Sequence, residues 1–168
     1  MFFGATSLDE RRKGMKELID ALSKVQAKDV VFVAAGNIKN MVLPENTKAM
    51  GYLNEEQLIQ MYQMADVFVC PSLADAGPMM VNQSLMCGTP VVAYPVGVSA
   101  DWIQTGKTGY LAKYGDADDL AKGIDYLLST SDNEWNQMSK RCRQIVVEAY
   151  ANPTKQDSLY ELIEELAK

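Results

Sequence analysis

The sequence predicts an α/β domain: a doubly wound parallel sheet of the Rossmann type, closed by C-terminal helices. Short runs rich in β-branched and aromatic residues alternate with stretches in which apolar residues recur at helical spacing, the pattern of βα units around a parallel sheet. Residues 30–35 (VVFVAA) are continuously apolar, which is typical of a strand buried on both faces. Beyond residue 112 only helical periodicity remains, so the closing helices come last.

The first half of the chain contains three predicted strands and two predicted helices. Phe2 and Phe3 begin the first strand, residues 30–35 form the second, and the third lies near residues 47–50. The helix between the first two strands has an apolar face made of Met15, Leu18, Ile19, Leu22 and Val25. The helix after the third strand has an apolar face made of Leu58, Met61, Tyr62 and Ala65. The βα pattern therefore repeats.

The second half continues the sheet and then becomes helical. We expect strands at residues 67–70, 91–94 and 109–112, with a short helix around residues 100–103. Three helices follow, and their apolar residues are Leu120, Ile124, Leu127 and Leu128, then Trp135, Met138, Cys142, Ile145 and Ala149, and, after Pro153, Leu159, Leu162, Ile163 and Leu166. A doubly wound sheet binds its ligand at the carboxyl ends of its strands, so the loops there are the expected location of a site.

Length and composition indicate one globular domain. The chain has 168 residues, 48% apolar and 23% charged, and we expect residues 1–168 to form a single unit. The net charge of -6 argues against a nucleic-acid partner, which would require clustered Lys and Arg. The longest apolar stretch is far shorter than the roughly 18 to 20 residues that cross a bilayer, and no secretory core follows Met1. We therefore expect a cytoplasmic protein.

Cysteine and histidine usage excludes several kinds of chemistry. The three cysteines, Cys70, Cys87 and Cys142, are odd in number and form no CxxC pair, so we expect buried thiols and neither a disulfide framework nor a zinc site. The chain has no histidine, which excludes a Ser-His-Asp triad, a Cys-His dyad and a His-ligated metal within it. Its chemistry must use carboxylates, phosphate-binding groups or residues from another domain.

Two segments resemble functional motifs but have simpler interpretations. Gly106-Lys107-Thr108 looks like the end of a P-loop, yet Asp101 stands where that motif needs a glycine, so we expect a turn. The acidic run at residues 116–119 could be a metal-binding DxD site. However, Asp116 stands where a helix N-cap is expected, with the next acidic residues in the first turn. We therefore expect helix capping and no metal.

The most informative stretch is residues 71–90, PSLADAGPMMVNQSLMCGTP. It passes from a buried strand through Gly77-Pro78 into a helix, and Pro78 suits the first helical turn. The amides of Met79, Met80 and Val81 would then lack helical partners and face the crevice, where they could bind a pyrophosphate. Taken alone, the pattern slightly favours a plain strand-to-helix connection.

This stretch resembles the signature of the large retaining GT-B glycosyltransferase family, the glycosyl transferases group 1, which includes sucrose, glycogen and cell-envelope polysaccharide enzymes. The family pattern is PSxxEGFGLxxxEAMACGTPVV. Its first Glu lies near the transferred sugar, and its second, eight positions later, accepts hydrogen bonds from the ribose hydroxyls. The matching residues here are Asp75 and Gln83. The resemblance implies the C-terminal half of a GT-B fold.

Further matches occur in the family's order along nearly the whole chain. Arg12-Lys13-Gly14 resembles the basic phosphate clamp, and Gly51-Tyr52-Leu53 resembles the start of the base-binding region, which continues with Leu58, Tyr62 and residues 65–69. Residues 95–97 and 106–111 resemble the family's GG-then-GxTGxL segment. An arginine that the family places after the first strand is absent, with Ala5 in that neighbourhood and Arg11 or Arg12 as candidate replacements.

The resemblance implies a role for each candidate residue. Lys13, Arg12 and the amides around Gly77, Pro78, Met79 and Met80 would bind and neutralise the leaving diphosphate without a metal. Asp75 would contact the sugar, Gln83 the ribose, and Gly51, Tyr52 and Leu53 the base. The donor would be a UDP-, GDP- or ADP-linked sugar, with no further cofactor. A neutral amide in place of a carboxylate at the ribose is expected to cost on the order of tenfold in donor affinity.

The resemblance also implies a partner domain. Family members bind the acceptor in a first Rossmann-like domain, which is absent from residues 1–168, so this chain alone should bind donor and transfer nothing. A hexosyltransferase acting in polysaccharide biosynthesis, on a saccharide or a lipid-linked acceptor at the cytoplasmic face of a membrane, would fit. Two alternatives stay open: a non-catalytic nucleotide-sugar-binding relative or partner subunit, and a GT-B-type sugar-nucleotide epimerase, which would need the histidine that this chain lacks.

Overall fold

Six short strands form one parallel sheet in the computed structural model, which describes residues 1–7, 10–37 and 42–151. The strands are β1 (Phe2–Ser7), β2 (Phe32–Asn37), β3 (Thr47–Gly51), β4 (Phe68–Cys70), β5 (Val91–Ala93) and β6 (Gly109–Leu111). Their order in the sheet is β3-β2-β1-β4-β5-β6, with every neighbouring pair parallel. The order reverses between β1 and β4, which confirms the doubly wound fold and defines the crevice where such sheets bind ligands.

Helices cover both faces of this sheet. They are α1 (Met15–Leu22), α2 (Glu55–Met64), α3 (Met79–Met86), α4 (Val98–Trp102), α5 (Ala117–Leu128) and α6 (Asp132–Ala151), with one 3-10 turn at Arg11–Lys13. Helices α1 and α5 pack together, whereas α3 contacts α2, α4 and α6. Right-handed crossovers place these two groups on opposite faces. The third C-terminal helix that the sequence predicts, with Leu159 and Leu166, lies outside the described residues.

Most predicted elements are confirmed, with small shifts at their ends. Strand β2 begins at Phe32 and not at residue 30, because its ladder to β3 starts where Phe32 pairs with Thr47. Helix α4 begins at Val98, directly after Gly97, and so two residues earlier than predicted. Cys70 and Cys142 are buried free thiols as expected, whereas Cys87 is only partly buried. None of the helices in the described ranges is both long and apolar enough to cross a bilayer.

Three aromatic rings fill the centre of the core beneath α2. Phe2, Tyr62 and Phe68 are fully buried, and the Tyr62 ring meets each of the other two edge-on at a centroid distance of 5.3 Å. Edge-to-face packing of this kind adds to the stabilisation from burial, because the positive ring edge meets the negative face. The aromatic cluster therefore fixes α2 against β1 and β4, the two strands at the switch point.

Helix α6 holds α3 in place from outside. Trp135 Nε1 donates to the Asp66 carbonyl at 2.9 Å near the start of α6. Near its end, the Tyr150 hydroxyl accepts a hydrogen bond from Asn82 Nδ2 of α3 at 3.1 Å, and the Tyr150 ring meets Trp102 of α4 edge-on. Because α6 is anchored at both ends, it fixes α3, whose first turn faces the crevice.

The acidic run at residues 116–119 caps α5, as predicted. The Asp116 carboxylate accepts the Asp119 N–H at 3.0 Å, and Asp119 accepts from the Tyr110 hydroxyl and the Lys113 N–H. Asp118 is exposed and pairs with Lys24 at 2.9 Å. Residues 106–108 form the predicted turn. The described residues contain no group of three or more acidic or cysteine side chains that could hold a metal ion.

We predict that Asp116→Ala lowers the free energy of unfolding by about 0.5 to 2 kcal/mol, because the first turn of α5 loses its N-cap acceptor. Urea unfolding at pH 7 measures the loss. Asp118→Ala is the matched control and should cost less, since it removes an exposed ion pair and no cap. Equal losses in the two variants would contradict the capping role, as would a rise in melting temperature with Mn²⁺ that Asp116→Ala abolishes.

Candidate functional site

A cleft of about 570 Å³ opens at the carboxyl ends of β1, β2 and β4, at the switch point of the sheet. Almost all the predicted site residues line it: Arg12, Lys13, Tyr52, Leu53, Asp75, Gly77, Pro78, Met79, Met80 and Gln83. Gly51 does not line the cleft, although its two following neighbours do. The fold thus brings together side chains that follow β1, β3 and β4 in sequence.

Small residues form the floor of the cleft. Gly4 and Ala5 come from the end of β1, and Ala35 and Gly36 from the end of β2. Gly36 has a positive φ of 114°, and a Cβ there would lie 1.7 Å from the Ala5 carbonyl oxygen, so only glycine permits this approach of the strands. The floor is therefore backbone and methyl groups, with no cation at Ala5.

A basic turn forms one wall of the cleft. Residues Arg11–Lys13 make a single 3-10 turn that ends at Gly14, where φ is 69°. A Cβ on Gly14 would lie 1.8 Å from the Pro71 carbonyl oxygen, so glycine is required here too. The Arg12 carbonyl accepts hydrogen bonds from the N–H groups of Leu73, at 2.7 Å, and Ala74, at 3.3 Å. The basic turn is thereby fixed to the loop between β4 and α3.

This attachment joins the three predicted catalytic residues in one ion-pair network. Lys13 Nζ lies 2.8 Å from Asp75 Oδ2, and Arg12 Nη1 lies 3.7 Å from the same oxygen. The Lys13 and Asp75 side chains are only 19% and 15% exposed, so solvent screens their pairing weakly. Arg12 is also paired with Glu10 at 2.6 Å, whereas Arg11 pairs with Glu17 and does not line the cleft.

The network keeps Asp75 ionised. Burial alone would raise the pKa of Asp75, but hydrogen bonds from Lys13 and from the Gly77 N–H, together with the charges of Lys13 and Arg12, outweigh it and hold the pKa below its ordinary value. Beneath the cleft, burial raises the pKa of the Cys70 thiol, which therefore stays protonated. Asp75 therefore lines the cleft as an ionised carboxylate paired with Lys13, and Cys70 lines it as a neutral thiol.

The first turn of α3 lines the same cleft as the basic turn. Pro78 is the N-cap residue of α3 and so precedes the helix. The sequence predicts it one position later, within the first turn. The Val81 N–H donates to the Pro78 carbonyl at 2.9 Å, so the prediction of a free amide at Val81 is wrong. The amides of Met79 and Met80 have no protein acceptor within the described ranges. Two backbone donors, and not three, are therefore available to a ligand.

The opposite end of the cleft is apolar. Tyr52 is 81% exposed at its mouth, and Leu53 and Leu58 lie deeper. The capping box of α2, in which the Asn54 and Gln57 side chains bond to each other's backbone N–H, fixes the loop that carries Tyr52 and Leu53. Gln83 lines this end of the cleft, with its Oε1 atom 3.4 Å from the Tyr62 hydroxyl.

Sequence reasoning missed two features of the site. It placed Tyr62 on an apolar helix face and in the base-binding region, but it did not predict that the Tyr62 hydroxyl reaches Gln83. Glu10, which pairs with Arg12, precedes the basic turn, and an acidic residue next to a basic run was its only signal. As built, the cleft has cations and free amides at one end and an apolar wall at the other. It can bind an anion that is joined to a flat apolar group.

The family model for glycosyl transferases group 1 matches residues 6–145, which is most of the chain. The chain belongs to this family. A curated relative, the sulfoquinovosyl transferase of Arabidopsis thaliana, is 28% identical over 145 residues, which cover 82% of this chain and 28% of that protein. The matched part of this group 1 chain spans less than two thirds of the length of the curated relatives that it resembles.

Solved glycosyltransferase structures share the fold of this group 1 domain. A glycosyltransferase from Rickettsia africae superposes with a TM-score of 0.80 at 20% identity, over 99% of this chain and 48% of that chain. HepE from Anabaena, solved in complex with UDP and glucose, superposes with a TM-score of 0.76 at 19% identity, over 95% of this chain and 48% of that chain. At these identities the similarity establishes the fold, a Rossmann-like domain of the GT-B type.

We predict a specific pH dependence for the contribution of Asp75 to stability. Because its folded-state pKa lies below the ordinary carboxyl value of about 3.9, the contribution is complete above that value and is lost as the pH falls through the folded-state pKa. In urea unfolding, the stability difference between wild type and Asp75→Asn should be constant near neutral pH and shrink in acid.

The background variant Lys13→Met provides the control for this experiment. With Lys13 absent, the same Asp75→Asn comparison should show a much weaker pH dependence, because the strongest partner of the carboxylate is gone. A stability difference that grows as the pH falls would contradict the ion-pair network.

Proposed function

We propose that the cleft binds the diphosphate and nucleoside of a sugar donor, and that the whole protein transfers the glycosyl group to an acceptor hydroxyl with retention of anomeric configuration. One observation carries the proposal. The basic turn with Lys13 and Arg12 and the free amides of Met79 and Met80 line the same switch-point crevice. Membership of the group 1 family and the similarity to HepE, a structure containing UDP, support it.

The diphosphate would lie between the basic turn and α3. Its oxygens would accept hydrogen bonds from Lys13 and from the Met79 and Met80 amides, and the helix dipole would add about 0.3 to 1 kcal/mol. When the glycosidic bond breaks, negative charge develops on the leaving diphosphate. Donors that are already in position stabilise this charge electrostatically, which is the largest contribution that residues of this cleft can make to catalysis.

Asp75 would exchange partners when the donor binds. In the structure its carboxylate neutralises Lys13 at 2.8 Å, so a diphosphate must share or replace that contact. A carboxylate released from Lys13 lies beside the phosphate end of the cleft, where the transferred sugar would also be held. Asp75 would there contact the sugar, while Lys13 turns to the phosphates.

The nucleoside would occupy the apolar end of the cleft. Tyr52, Leu53 and Leu58 provide a wall against which a flat base can pack, and Gln83 of α3 lines the same cleft. UDP is the leading candidate donor nucleotide because the HepE structure contains it, with GDP and ADP as the alternatives to compare. The transferred group would be a hexosyl unit.

Residues 1–168 would act as the donor-binding half of a longer protein. The chain spans 48% of the length of the HepE and Rickettsia africae structures, which leaves room in the whole protein for a domain that binds the saccharide or lipid-linked acceptor. The chain alone would then bind donor without transferring it. Polysaccharide synthesis in the cytoplasm, or at the cytoplasmic face of a membrane, is the corresponding role of the whole protein.

A second candidate function is nucleotide-sugar binding without catalysis. It is favoured by the Asp75 carboxylate, which is engaged with Lys13 and not free to meet a sugar. The two functions differ in one measurement on the full-length protein. Transfer or hydrolysis of any nucleotide sugar in a donor panel establishes the enzyme, whereas saturable binding with no turnover establishes the non-catalytic relative.

We predict that one of UDP, GDP and ADP raises the melting temperature of this chain saturably. A ligand at 100 times its dissociation constant stabilises the folded state by about 2.7 kcal/mol. Lys13→Ala should weaken binding at least about tenfold, because it removes a charged hydrogen bond and leaves Asp75 to repel the phosphates. Thermal-shift titration followed by calorimetry measures both effects.

Lys24→Ala is the matched control, since Lys24 pairs with Asp20 and Asp118 away from the cleft and should leave binding unchanged. No stabilisation by any of the three nucleotides at millimolar concentration would contradict the proposal. Undiminished binding by Lys13→Ala would also contradict it.

A further inference from the structure

The loop between β4 and α3 is held by contacts on both sides of Leu73. The Leu73 N–H donates to the Arg12 carbonyl of the basic turn at 2.7 Å, and the Leu73 carbonyl accepts the Tyr114 hydroxyl at 2.9 Å. Farther along the loop, Gly97 packs so closely that a Cβ there would lie 2.9 Å from the Asp75 carbonyl oxygen. The loop that carries Asp75 is therefore held by the basic turn, by the start of α4 and by the connection between β6 and α5.

Tyr114, in the connection between β6 and α5, is itself firmly placed, although its side chain is 60% exposed. Its ring meets the buried ring of Tyr94, which directly follows β5, at a centroid distance of 6.2 Å. The preceding residue, Lys113, donates its N–H to Asp119 of α5 at 2.7 Å, and its carbonyl accepts the Asp116 N–H at 3.0 Å. The Tyr114 hydroxyl is therefore an anchor that is attached to the ends of β5 and α5.

These contacts connect the outer edge of the sheet to the ion-pair network. Neither Tyr114 nor Leu73 lines the cleft, so a ligand in the cleft would meet neither side chain. Leu73 bonds to the residue before Lys13 and lies two residues before Asp75. A displacement of Leu73 would therefore change the separation of Lys13 Nζ and Asp75 Oδ2, which is 2.8 Å.

We propose that Tyr114 is a positioning residue for the anion site: its hydroxyl holds the loop after β4 against the basic turn and so sets the separation of Lys13 and Asp75. Tyr114 acts through these two residues and not by contact with the ligand. Donors that are held in place bind more tightly than mobile ones, because they lose less conformational freedom on binding. The inference rests on the proposed binding of a nucleoside diphosphate, and it makes that binding depend on a residue outside the cleft.

The variant Tyr114→Phe tests the inference, because it removes the hydroxyl and keeps the ring against Tyr94. The lost hydrogen bond is exposed, so water can replace the hydroxyl at the Leu73 carbonyl and the circular dichroism spectrum should not change. Calorimetry with the best-binding of UDP, GDP and ADP should give a dissociation constant at least about threefold higher than in wild type.

Tyr110→Phe is the matched control for this variant. It also removes a tyrosine hydroxyl, which donates to Asp119 at 3.1 Å, but it leaves the bond between Tyr114 and Leu73 in place. The control protein should bind the nucleotide as wild type does.

The carboxyl group of Asp75 gives a second readout, which needs no ligand. Burial raises its pKa, but hydrogen bonds from Lys13 and from the Gly77 N–H, with the charges of Lys13 and Arg12, outweigh burial and keep the pKa below its ordinary value. The nearby Cys70 thiol is neutral, because burial raises its pKa. The pKa of Asp75 therefore reports how closely the basic turn approaches it.

Carbon-13 NMR titration of the Asp75 carboxyl group measures this pKa. In Tyr114→Phe it should rise toward the ordinary carboxyl value, because Lys13 then spends less time beside the carboxylate, whereas in Tyr110→Phe it should stay as in wild type. In a Lys13→Met background, Tyr114→Phe should leave the pKa of Asp75 unchanged. A purely structural role for Tyr114 would not produce that dependence on Lys13.

The outcomes distinguish this inference from the function on which it rests. If a nucleotide binds wild type, and Tyr114→Phe matches Tyr110→Phe in both the dissociation constant and the pKa of Asp75, the inference is wrong and the proposed function stands. A rise of the Asp75 pKa that persists in the Lys13→Met background would also overturn the inference. If no nucleotide binds wild type, the proposed function fails and the inference fails with it.

Discussion

The attachment of the basic turn to the loop after β4 is the contact on which the rest of the site depends. Gly14 allows the turn to approach Pro71 more closely than any side chain would permit, and the Arg12 carbonyl bonds to that loop. These backbone contacts place Lys13 beside Asp75, 62 residues later in the chain. Without them the cations would lie on a free surface turn, and the crevice would have only one functional wall.

The ion-pair network explains how an acidic protein could bind the proposed diphosphate. A chain of net charge -6 has no general attraction for phosphate, so the attraction must be local. Among the described residues that line the cleft, the charged ones are Arg12, Lys13 and Asp75. Their charges sum to one net positive charge. The carboxylate holds Lys13 in position before any ligand arrives, and preorganised donors lose less conformational freedom on binding. The site is therefore preformed, but a ligand must compete with Asp75 for Lys13.

The fold could be predicted from sequence because its strands are short, wholly apolar runs and its helices have clear apolar faces. The candidate cleft residues could be predicted from the resemblance, since strand-end loops converge in a doubly wound sheet. The contacts among them could not. Apolar periodicity cannot show that the Tyr62 hydroxyl contacts Gln83 or that the Val81 amide donates to the Pro78 carbonyl. It also cannot show that Gly51 does not line the cleft. Those details depend on loop geometry and side-chain direction.

Asp75 and Gln83, which stand in place of the two glutamates of the family signature, fit this cleft together. Asp75 uses one oxygen for the Gly77 N–H, two residues on, and the other for Lys13; a short side chain suits that local turn. A glutamate at position 83 would bring the cleft-lining charge to zero and place a second carboxylate in a site proposed to hold a diphosphate. A neutral amide still gives Tyr62 its acceptor and keeps the cleft positive. In the proposed function, the missing charge at position 83 would thereby be partly offset by stronger attraction for the phosphates.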